Sequence, residues 1–412
     1  MTEILTIDST IIDSIKDEKN PKDWLISRLN DLNAAIGDTR NVPSLENLKY
    51  PSELVFLYQG LDHKIDDDVP LEKPSWYDDE KFKRGQKFAN DYYGMVNYAE
   101  MLTLLILFSF HGNLGPLIYT RRSDTSKKAG RRYLSTALRV LSWYEEDVWD
   151  KNSVSHKNIQ MVRAYHRSTV KRMCKHSKQE LLQKTKLKNV LQPKDIKCQA
   201  LATLKGEFNG TCPFWISEMS HSGTLINQAE MSFTLFGFMG LIVLYPEKLG
   251  INGVTEEELD GFVHLWRVLG YLLGIKDEFN MCQGPFKVVK SRCHQIIDML
   301  FIPNLNNLSE EWEHMSRCMI EGVAMTIPGP TFETSLLQLF WMTGVKATKY
   351  RRRLKWKCIV KHYFNRFVMS CIMRFVFIRV KFNTWVKNQM RLKAETMLNE
   401  LEDNLSDLNE NR

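Results

Sequence analysis

The sequence predicts an all-α protein. Apolar residues recur at i, i+3, i+4 and i+7 in one segment after another, no stretch alternates apolar and polar residues as a strand would, and helix-capping signals precede some of the periodic runs. There is no internal repeat. The 412 residues are 43% apolar, enough for a sizeable core, and the length allows either two domains or one large helical one.

Residues 1–50 are polar, with a short helix expected from Pro21 to Gly37; they read as a loosely docked lead-in. Pro51, Pro70 and Pro74 mark residues 51–75 as a linker. Asp78 to His111 reads as one long helix or a broken pair, and its Met101–Phe108 run is apolar on all sides. That run is too short to span a bilayer and predicts a core helix, stopped by Gly112, Gly115 and Pro116. His111 then stands at a helix end, either as a C-terminal cap or as a group facing a ligand. Arg121 to Gly130 reads as a turn-rich loop.

Arg131 to Met173 follows, the stretch on which the functional reading turns. Val162, Tyr165, His166, Thr169, Val170 and Met173 share a helical face, while Arg163, Arg167, Lys171 and Arg172 fall largely around the other side. A histidine facing a core must satisfy both ring nitrogens. The residues leave two readings open for His166: a core histidine bonded to backbone, or an axial ligand to a haem iron. Arg131 and Arg132 read either as a solvated helix start or as partners for carboxylates. Cys174 and His176 are expected to be structural.

Lys178 to Asn209 is basic and polar and reads as an insertion; Cys212-Pro213-Phe214-Trp215 marks a turn with an aromatic patch. Asn227 to Tyr245 is apolar on most faces, with Gly237 and Gly240 allowing close approach. Thr255 with Glu258 forms a capping box for a helix through Phe262, Leu265, Trp266 and Leu269, with Gly274 as its C-cap signal. Ser309–Ile327 and Thr331–Thr343 are two further amphipathic helices, separated by Pro328 and Pro330.

Charge is unevenly placed. Lys346 to Lys393 holds fifteen cations and no acid, so a net of +7 with +15 there leaves −8 for the rest. Trp356, Phe364, Phe375, Phe377 and Trp385 interleave those cations, a pattern that predicts an amphipathic anchor on an anionic membrane surface through 346–393. Arg374, Arg379 and Lys381 interrupt its apolar residues and disfavour a spanning helix. No nucleic-acid-binding module is recognisable, and no nucleic-acid partner is expected. The eight cysteines contain no C-x-x-C pair, and Met1–Asn20 lacks an apolar signal core. The expectation is an intracellular protein with reduced thiols, not a secreted one. Walker, G-x-S-x-G, H-E-x-x-H and dinucleotide signatures are absent.

Four motifs in order carry a resemblance. Arg132 and Thr136 form an Arg-x-x-x-Thr pair, with His166 thirty positions after Thr136. Phe82-Lys83-Arg84-Gly85-Gln86 precedes them; Ile226-Asn227-Gln228 and His264-Leu265-Trp266-Arg267 follow. Over residues 75–300 the chain resembles the catalytic domain shared by rubber oxygenases (latex clearing proteins) and the ER-bound fungal oxygenases that cut a prenyl side chain. The resemblance implies a single large helical bundle domain with a globin-like haem-binding core at 76–345, after a lead-in at 1–75 and before basic C-terminal helices at 346–412. It implies haem b, with His166 as the proximal iron ligand, Arg132 on a propionate, Thr136 supporting the pocket and Arg131 as a lesser propionate candidate. It also implies O₂ and a hydrophobic, alkene-bearing isoprenoid or lipid as substrates, at the cytoplasmic side of the ER or another membrane. His264, though part of a motif, is read as a packing residue.

Two positions depart from the family. Ser135 replaces a lysine before the threonine, and on an ungapped count Pro116 replaces a glutamate that serves as distal base. No catalytic base is assigned from sequence. The departures leave a second reading, a catalytically silent haem- or lipid-binding protein at the membrane surface, and a third, an all-α scaffold without cofactor.

Overall fold

The computed structural model describes residues 52–54, 56–57, 60–65, 71–190, 200–208 and 226–410. The lead-in helix and the Cys212–Trp215 patch lie outside these. The chain divides into two compact units, 1–55 and 56–412. Of the first, only a helical turn at Ser52–Leu54 is described. The second is helical, with no strand among the described residues beyond an isolated Lys64–Asn227 bridge.

Its helices are α1 (Asp79–Asp91), α2 (Tyr93–Leu107), α3 (His111–Thr120), α4 (Ser126–Glu145), α5 (Val154–Met173), α6 (Lys178–Lys184), α7 (Gln228–Leu244), α8 (Glu256–Leu272), α9 (Phe286–Gln295), α10 (Glu310–Ala324), α11 (Phe332–Thr343), α12 (Thr348–Arg353), α13 (Trp356–Cys371) and α14 (Val376–Glu410), with shorter turns between them. α2 and α7, apolar on nearly all faces, form the centre; α7 packs on α2 and α8, and α10, α11 and α14 also rest on α2. Two crossings are close because glycines face each other. A Cβ on Gly85 of α1 would come within 2.3 Å of the Gly261 carbonyl oxygen on α8, and one on Gly322 of α10 within 2.4 Å of the Gly130 nitrogen on α4.

Caps fix several helix starts, that of α8 as expected. Thr255 and Glu258 form the reciprocal capping box of α8, and Gly274, at φ 97°, follows its end. Ser309 caps α10, and Gly344 ends α11 in the left-handed region.

Three expectations are corrected. The chain bends by 101° between α2 and α3, but the break is at Phe108–Phe110, and α3 continues through Gly112, Gly115 and Pro116. Proline's fixed φ suits a helix, at the cost of one backbone hydrogen bond. His111 therefore begins a helix, its Nε2 lying 3.3 Å from Thr185 Oγ1. The loop expected over 121–130 is short, because Thr125 caps α4 and the helix already runs from Ser126. Among the described residues no single helix is long and apolar enough to cross a membrane.

Candidate functional site

α5 starts sharply, with Ser153 capping it and the His156 ring 2.9 Å from the Val148 carbonyl. Its periodic face then meets α4. Val162, Tyr165, His166 and Thr169 line one wall of a cavity of about 340 Å³, and Arg132, Ser135, Thr136 and Arg139 of α4 line another. The remaining walls are largely apolar, from α2, α3, α7 and Trp266 of α8. Trp266 is held by stacking on Phe238 at 4.1 Å between ring centroids and by edge contacts with Trp143 and Tyr144.

Arg132, Thr136 and His166 thus come together. Arg132 Nη1 donates to Ser123 Oγ at 3.1 Å, and burial, with Arg122 close by, holds its pKa below the ordinary arginine value. The guanidinium still stays charged. Thr136 Oγ1 donates to the Arg132 carbonyl at 3.1 Å, one turn back. Arg131 is exposed and is not among the residues that line this wall. Arg122 and Arg139 are the additional cations of this cavity. They flank the Tyr165 ring at 5.8 and 5.6 Å, and Arg139 also donates to the Ser135 carbonyl at 3.0 Å and to its hydroxyl. Among the described residues no carboxylate pairs with Arg122, Arg132 or Arg139. Arg163, expected on the solvent side, is buried and donates to the Leu272 carbonyl at the end of α8.

Glu230 was not foreseen. It is buried in the cavity wall, its Oε2 accepting the Ile226 N–H at 3.0 Å, while Oε1 has no partner among the described residues. Burial raises its pKa to about 7 and the Ile226 bond opposes the rise. Ile226 has φ 66°, a strained conformation for a β-branched residue, and it too lines the cavity. A signal was present in the sequence: Asn227 is the N-cap of α7 and Glu230 stands at its N3 position. Both departures from the family pattern face this space, since Pro116 and Ser135 line it. His264, by contrast, packs: its Nε2 accepts the Asp78 N–H at 3.2 Å, and burial lowers its pKa to about 4.

The donor set fits a haem. One imidazole lines a largely apolar chamber together with guanidiniums that have no carboxylate partner among the described residues, which suits a flat apolar group carrying carboxylates and a single protein-ligated iron. Among the described residues no group of three or more His, Cys, Asp or Glu side chains forms a metal cage.

The fold resembles a solved structure. It is similar to latex clearing protein in the closed state, at 15% sequence identity and a TM-score of 0.49, over 82% of this chain and 85% of that one. No protein-family model and no curated protein sequence matches the chain.

Proposed function

We propose that the chain is a haem-dependent oxygenase-like protein that cleaves a C=C bond of an apolar isoprenoid or lipid, working at an anionic membrane surface. The observation that carries this reading is that His166, Arg132 and Thr136 line one cavity whose guanidiniums have no carboxylate partner among the described residues. Haem, when bound, supplies the redox chemistry with O₂. The protein's residues bind and orient. His166 on α5 would hold the iron, Arg132 would pair with one propionate, and Arg139 or Arg122 with the other. Phe238 and Trp266 keep water from the apolar side.

Among the described residues of this cavity Glu230 is the one carboxyl group, able to hold or release a proton near neutrality, a role that neither Pro116 nor the engaged Ser135 can take. Oxygen uptake by haem-loaded protein given a long-chain alkene tests the reading. Uptake that depends on the alkene and falls about a hundredfold or more in Glu230→Gln is expected. Uptake indifferent to the alkene contradicts it.

One observation favours the second reading, a catalytically silent haem- or lipid-binding protein: the positions that face the cavity at the family's distal residues are Pro116 and Ser135. Haem retention without alkene-dependent uptake would select it.

The membrane part of the proposal rests on α12–α14. Arg351, Arg352, Arg353, Lys355, Lys357 and Arg374 are exposed there, beside Trp356 at 70%, Phe377 at 64% and Phe375 at 57% exposure. Such a surface offers charge to anionic headgroups and rings to the interface.

A further inference from the structure

A second, larger cavity of about 440 Å³ lies beside the first, and the two share wall residues that include Leu104, Leu107, Tyr133, Thr136 and Phe238. Its floor is one face of α2. Gly94, Asn97, Tyr98, Met101, Leu104 and Leu107 follow helical spacing along it, and the fourteen residues from Gly94 to Leu107 make a floor about 20 Å long.

The outer end of this floor is closed by the basic C-terminal helices. α14 crosses α2 at Gly94, where a Cβ would meet Phe382 at 2.4 Å. Asn383 Oδ1 accepts the Gly94 N–H at 2.9 Å, and its amide donates to the Asp91 carbonyl at 2.8 Å. Phe364 of α13 and Trp385 of α14 line the cavity and yet are 62% and 38% exposed, so the cavity reaches the surface between these two helices.

Of the described residues lining this cavity, Glu100 is the one carboxyl group, and none is Lys, Arg or His. Its Oε1 accepts the Tyr144 hydroxyl at 3.1 Å. We infer that this cavity binds an elongated apolar molecule with one neutral hydrogen-bonding end, a long-chain or prenyl alcohol, admitted between α13 and α14 and held at its hydroxyl by Glu100. The volume suits a chain of about fifteen carbons, at the ~30 Å³ that a water-sized group takes in a liquid. A hydroxyl donates and accepts, which matches a carboxyl kept neutral: burial raises Glu100 to about 8, against the lowering effect of Tyr144. An anionic end would find no cation here. The inference deepens the proposed function, since the shared wall places such a ligand next to the smaller cavity, but binding needs no cofactor there.

Titration of the full-length protein, with no haem added, by the fluorescent polyenes parinaryl alcohol and parinaric acid at pH 7 tests it. The alcohol should bind saturably, near one per chain, and at least tenfold more tightly than the acid. Glu100→Leu should weaken the alcohol three- to tenfold and shrink that preference. Ala137→Phe, which fills the cavity, should abolish binding. Should that variant not fold, as circular dichroism would show, wild type and Glu100→Leu still decide the matter. Absence of saturable alcohol binding, or equal affinities for alcohol and acid, overturns the inference. Because no haem is present, failure of the oxygenase reading leaves these results intact.

Discussion

Arg132 illustrates how one side chain carries a claim. It is half-buried, it donates to a serine hydroxyl, and it has no carboxylate partner among the described residues. If it serves a propionate, its fork should matter as well as its charge. Arg132→Lys should retain haem partially and Arg132→Leu less, measured as the haem-to-protein ratio after gel filtration; equal retention in all three would remove Arg132 from the site. Glu100 offers a test on stability. Its carboxyl is raised by burial from 4.5 to about 8, with Tyr144 of α4 facing it and no Lys, Arg or His in its cavity. Between those pH values the unfolded chain releases a proton that the folded chain keeps, so stability falls as pH rises through the window and levels off above about 8. Glu230, raised to about 7, adds to the same fall. Denaturation of Glu100→Gln should therefore show a shallower pH slope, by up to about 1.4 kcal/mol per pH unit. An unchanged slope would mean that Glu100 is ionised in the folded protein.

At the scale of elements, helix positions were legible where period and cap agreed, as with Thr255 and Glu258 on α8 and Ser309 on α10. The face of α5 that carries His166 was legible for the same reason. What the sequence concealed came from elsewhere in the chain. Arg122 and Glu230 reach the cavity from a loop and from α7, and no spacing along α4 or α5 points to them. α3 was hidden because Pro116 reads as a stop, whereas the bend that ends α2 needs no proline. The glycine crossings matter for the same packing. At Gly85, alanine gains about 1 kcal/mol of helix propensity, but its methyl would press on the Gly261 carbonyl at 2.3 Å. Backbone cannot give as a side chain can, so Gly85→Ala should destabilise by about 1–3 kcal/mol in urea titration at constant m. A neutral or stabilising result would show that the two helices can part.

For the molecule as a whole, the basic C-terminal segment is more than an appendage. Asn383, Val386 and Met390 are buried, and Lys387 and Arg391 pair with Glu145 of α4 at 2.7 and 3.3 Å. Those two cations meet the acidic body, while the exposed ones on α12–α14 are free to meet a surface of opposite charge. Removing the segment would open the larger cavity, so the membrane proposal is better tested by substitution than by truncation. Flotation with vesicles should rise with anionic lipid, weaken in high salt, and drop at least tenfold when Phe375 and Phe377 become serine; indifference to lipid charge would count against a membrane role. The account's central claim is that His166 anchors a haem. Wild-type protein purified after expression with ample haem should show a Soret band, and His166→Ala, folded by circular dichroism, should lose most of it. A colourless wild type, or a His166→Ala protein with an unchanged spectrum, would contradict the claim.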